Sequence, residues 1–115
     1  MERKQLHRPD KGSQNEGDKW VDHLTDSACE FFEANRDRRW FYYLSHHTLH
    51  NKVSAPPELV KKYRDQGAPE VGFHNAMYLA AIEHLDASIG RLLDKLDELG
   101  TCHSTICAGH HPRCV

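Results

Sequence analysis

An aromatic run that ends among histidines constrains this chain more than any other feature. Trp40, Phe41, Tyr42, Tyr43 and Leu44 are apolar without interruption, and Ser45, His46, His47, Thr48, Leu49 and His50 follow directly. A short continuous apolar run fits a strand covered on both faces, as in a parallel sheet. The polar residues after it then sit at the strand's C-terminal end, the edge where ligands bind in open α/β sheets. The spacing predicts a strand over residues 39–45 and places the candidate chemistry among the imidazoles that follow.

The flanking segments read as helices. Trp20, Leu24, Ala28, Phe31 and Phe32 recur at helical spacing over residues 20–35, with Asp22 or Thr25 as candidate caps and Asn35 near the stop. Pro57 suits the first turn of a short helix running to Tyr63. A long amphipathic helix is predicted over residues 73–99. Its apolar stripe is Tyr78, Ile82, Leu85, Ile89, Leu92, Leu93, Leu96 and Leu99, and Gly100 supplies a stop. The stripe is expected to pack on the strand, with Gly90 allowing a close backbone approach. Ser104, Thr105 and Ile106 read as the opening of a second strand. Helices before and after a buried strand imply an α/β class with a partial sheet layer.

Composition excludes several roles. The chain has 115 residues, enough for one small domain, and its 15 Lys and Arg against 17 Asp and Glu leave a net charge of −2. That balance suggests neither a nucleic-acid surface nor a polybasic membrane anchor. No apolar run approaches the roughly 20 residues that span a bilayer, and the charged start from Met1 to Pro9 does not read as a secretory signal. Localisation stays open. Residues 1–18 read as a flexible polar lead, 19–106 as the structured segment and 107–115 as a divergent tail.

Four segments, taken in order, resemble the middle of a type I sulfatase. They are Trp20-Val21-Asp22-His23-Leu24, the strand with its His47-Thr48-Leu49-His50 corner, Ala55-Pro56-Pro57-Glu58-Leu59, and Tyr78-Leu79-Ala80-Ala81-Ile82-Glu83-His84-Leu85-Asp86 running on to Gly90-Arg91-Leu92-Leu93. The resemblance implies a partial alkaline-phosphatase-like sheet layer and an arylsulfatase-like parent that hydrolyses sulfate esters. In that parent a formylglycine, made from the cysteine of a Cys-x-Pro-x-Arg motif, is the nucleophile, and calcium holds the sulfate. The motif is missing here, as are the family's paired acidic residues and the Asp-Asn-Gly turn that carry calcium. The expectation is therefore an internal fragment, inactive alone, whose sulfate-ester substrate belongs to an intact parent. Family members are commonly exported.

By the same resemblance His50, six residues before Pro56, is the sulfate contact, through a hydrogen bond or proton transfer to the leaving oxygen. His47 is the weaker candidate, with a supporting role. His46 reads as local packing, Lys52 as a solvated loop residue, and His84 as a polar-face residue near Asp86 or Glu83. No metal ligand or cofactor contact is assigned to the fragment. The alternative function is a zinc-binding or interaction module built from Cys102, His103, Cys107, His110, His111 and Cys114, whose spacing matches no paired Cys-x-x-Cys framework. Strand edges left unpaired in a fragment are expected to drive self-association.

Overall fold

The computed structural model describes residues 20–49 and 53–109. Three helices follow in order: α1 (Val21–Ala34), α2 (Pro57–Asp65) and α3 (Ala76–Glu98), with a short 3-10 turn at Cys102–Ser104. The predicted polar lead, His50, Lys52 and the last six residues lie outside the described residues.

Local chemistry sets the helix ends. At the end of α1 the Asn35 amide N–H and side-chain Nδ2 both donate to the Phe31 carbonyl. Neither Asp22 nor Thr25 caps its start: the Thr25 hydroxyl donates back to the Val21 carbonyl at 2.6 Å, and Asp22 faces α3. Pro57 opens α2, where its missing N–H costs nothing. The start of α3 is capped by Asn75, whose Oδ1 accepts from the Tyr78 amide at 2.9 Å. Two glycines close helices through the same device. Gly67 and Gly100 take φ of +92° and +70°. The next residues, Ala68 and Thr101, then donate to the carbonyls of Tyr63 and Leu96. This is the Schellman arrangement, which satisfies the last carbonyls of α2 and α3.

The long helix α3 is the spine. Its first half packs against α2 through Ala55, Val60, Ala76, Ala80 and Ala81, with Leu49, Val53, Leu59 and Met77 at the margin. Its second half packs against α1 through Ala28, Phe32 and Leu96, with Phe31, Trp40, Tyr42, Leu44, Leu92 and Leu99 around them. An ion pair ties each flank to the spine: Lys62 to Glu83 at 2.8 Å, and Arg91 to Asp26.

Two expectations fail. First, among the described residues there is no strand, so the α/β sheet layer is replaced by an all-helical arrangement. Residues 39–47 are extended, yet a strand also needs a neighbour to share its hydrogen bonds. The expected second strand does not supply one. Its first residue closes the 3-10 turn, and Ile106 is 95% exposed. The aromatic run is also not covered on both faces. Trp40, Tyr42, Leu44 and His46 turn inward while Phe41, Tyr43, Ser45 and His47 face out, the period of two that a half-buried strand shows.

Second, α3 buries only part of the stripe its large residues mark: Leu92, Leu96 and Leu99 pack with Trp40, Tyr42 and Leu44 as expected, but elsewhere small residues take the buried face. Ile82, Ile89 and Leu93 are 41%, 44% and 49% exposed, whereas Ala76, Ala80, Ala81, His84 and Ser88 are buried. Ridges of two helices interlock most closely where the facing residues are small. Ala76, Ala80 and Ser88, with His84 between them, recur every fourth position along this buried face. Gly90 makes no close approach either: a Cβ built there meets nothing within 4 Å.

Candidate functional site

The chain between Leu44 and Leu49 passes from the α1–α3 cluster to the α2–α3 cluster, and His46 and His47 lie on this crossing. Tyr42 and Leu44 anchor its start in the α1–α3 cluster, and Leu49 and Val53 anchor its end in the α2–α3 cluster. Leu49 takes φ of +71°, a left-handed conformation uncommon for a residue with a Cβ. His50, the next residue, lies outside the described residues, as does Lys52.

His46 and His47 point to opposite sides. His47 is exposed. His46 turns inward, and both of its ring nitrogens are covered without a hydrogen-bond partner, as is the hydroxyl of Thr48. Burial pushes the His46 imidazole below its ordinary 6.5, and the nearby His47 and His84 push it further the same way.

His84 is the residue that sequence reasoning misplaced. It is not beside Asp86 or Glu83 on a polar face. It lies buried between α1 and α3, with Nε2 3.2 Å from Asp22 Oδ1 and Nδ1 covered and unpartnered. Asp22 in turn sits 3.6 Å from the Arg91 guanidinium, which also bonds Asp26. The fourfold spacing of Ala76, Ala80, His84 and Ser88 was the available signal, since it marks His84 as facing a neighbouring helix. The site thus brings together His46, His84, Asp22 and Arg91, and leaves His47 on the surface.

Calcium, implied by the family resemblance, needs six to eight converging oxygens. Among the described residues no group of three or more His, Cys, Asp or Glu side chains is arranged to hold a metal. The carboxylates of Asp22 and Asp26 are engaged by Arg91. These residues do not fit a calcium site. Of the tail's candidate ligands, Cys102, His103 and Cys107 are exposed; His110, His111 and Cys114 lie outside the described residues. No helix among the described residues is long and apolar enough to cross a membrane.

No curated protein matches this chain. A family model described as Sulfatase matches residues 2–108, nearly the whole length. The chain therefore belongs to the sulfatase family.

Proposed function

We propose that this chain is one segment of a sulfate-ester hydrolase of the arylsulfatase-like kind, and that it has no hydrolytic activity by itself. Within such an enzyme it supplies the histidine corner. His50 contacts a sulfate oxygen or passes a proton to the leaving oxygen, and His47 supports the corner from its exposed side. The nucleophile and the metal ligands are not among its residues.

The observation that carries this reading is the extended segment 39–47. One face lies on α1 and α3, while Phe41 and Tyr43 are 71% and 76% exposed. No backbone–backbone hydrogen bond joins residues 39–47 to another described residue. Backbone N–H and C=O groups without a partner among the described residues, beside exposed aromatics, call for further strands. The part of the α3 stripe left exposed, Ile82, Ile89 and Leu93, calls for the same additional layer, since large apolar side chains left uncovered along one stripe mark a contact surface.

Two measurements test the reading. The purified chain should not hydrolyse an aryl sulfate above the buffer rate; turnover abolished by His50→Ala would overturn the claim of inactivity alone. When residues 20–106 replace the matching segment of an intact sulfatase, the chimera should turn over. His50→Ala in that chimera should lower kcat by about 10²–10⁴-fold, the usual weight of one acid–base group. A chimera that turns over equally well with and without His50 would remove the proposed role.

A further inference from the structure

The half-buried imidazole of His46, with both ring nitrogens covered, has no use in the proposed reaction, and its surroundings give it another. Its two ring nitrogens are covered and make no hydrogen bond. A neutral imidazole left this way carries a modest desolvation cost, while an imidazolium in the same place carries a far larger one. The groups that face it do not offset a charge. His47 adjoins it on its own segment and His84 approaches from α3, and a positive charge on either opposes one on His46. The Asp22 carboxylate on α1, which pairs with His84, is already shared with Arg91. The docked segment therefore has a place for neutral His46 and none for its protonated form.

The rest of the attachment is weak enough for one proton to matter. No backbone–backbone hydrogen bond ties residues 39–47 to another described residue; they are held there through the inward side chains of Trp40, Tyr42 and Leu44 on Phe31, Phe32 and the end of α3. The α1–α3 contact beneath includes Val21, Thr25, Ala28, His84 and Ser88, all buried, so it can persist when the segment lifts. We propose that residues 40–48 act as an acid-released latch, docked on α1 and α3 while His46 is neutral and freed when His46 takes up a proton.

The direction follows from linkage. The released segment binds the proton with its ordinary affinity, near pH 6.5, and the docked segment binds it more weakly. Docking is at full strength above that pH. It weakens as pH falls through the interval between the two affinities, by at most about tenfold per pH unit for a single proton. Since the same segment leads directly into the histidine corner, its release would displace that corner.

Trp40 provides the readout, because its indole stacks on Phe32. In a Trp20→Phe background at submicromolar concentration, Trp40 emission should shift to the red between about pH 7 and 5, while the far-ultraviolet helix signal holds. His46→Gln, which stays neutral, should abolish the shift. Proton NMR of the unaltered chain should show the His46 ring titrating below 6.5, in step with the fluorescence. That measurement decides the matter if the glutamine variant does not fold. An unchanged transition in His46→Gln, a loss of helix in step with Trp40, or a His46 midpoint at or above the ordinary value would each overturn the latch.

Discussion

The ring of Trp40 lies stacked on Phe32, with centroids 4.8 Å apart and 24° between the planes. Phe31 meets the same indole edge-on at 5.8 Å. Two consecutive helical phenylalanines thus grip one tryptophan from the extended segment, and Phe32 itself is buried. Phe32→Ala removes the floor of that contact and should cost about 3 kcal/mol, the lower end for a phenylalanine truncated in a core. Urea denaturation followed by circular dichroism checks this. A loss under 1 kcal/mol would mean that the α1–α3 cluster does not hold the segment.

The face of α3 that is buried decides which substitutions hurt. Ala81→Leu inserts bulk into the closed contact with α2 and should destabilise by about 1–3 kcal/mol. Ile89→Asp, placed on the exposed face, should cost under about 1 kcal/mol in the same assay. The sequence pattern alone predicts the opposite order, so the pair separates the two assignments.

Gly90 lies inside α3 with open space where a Cβ would point. Gly90→Ala should raise the stability of the isolated chain by about 0.5–1 kcal/mol, by restricting the unfolded backbone and favouring the helix. A lower melting temperature for the variant would show that something does approach the backbone there.

Tyr42 carries a buried hydroxyl with no hydrogen-bond partner. Tyr42→Phe keeps the ring against Phe31 and Phe32 and removes only that atom. Such a change should be neutral or stabilising by up to about 1 kcal/mol. A loss of more than about 1 kcal/mol would mean that the hydroxyl is bonded in solution.

The aromatic run also bears on association. Phe41 and Tyr43 stand exposed on a segment whose backbone bonds to no other described residue, so the isolated chain should sediment as dimers or larger species at low micromolar concentration. Tyr43→Lys places a charge on that outward face and should shift the chain toward monomer. A sharp monomer before the substitution would remove the argument.

Much of the helical framework was legible because its signals are local. Pro57 and Gly100 act through their own backbone preferences, and the period of Leu24, Ala28 and Phe32 is visible without any partner. The strand was not legible as a strand or as its absence, because pairing depends on which other segment lies alongside. The Trp40 to Leu44 run has the right composition for a covered strand, and only the missing neighbour leaves Phe41 and Tyr43 outside. The stripe of α3 held at Leu92, Leu96 and Leu99, and its earlier turns were misread for a related reason. Hydrophobic size marks Ile82 and Ile89, whereas close helix contact selects Ala80, Ala81 and Ser88. His84 was missed because its partner, Asp22, is 62 residues away in the chain. His50 rests on motif order alone.

Among the described elements, α1 and α2 each touch α3 and do not touch each other. Heat or mutation on one flank can therefore reach the other only along the helix between them or through the crossing that carries the histidine corner. The two flanks should open as separate cooperative units, with two distinct classes of amide protection rather than one. Whatever holds the corner in place is then a property of the span between two loosely coupled halves, and tightening either half alone will not fix its geometry.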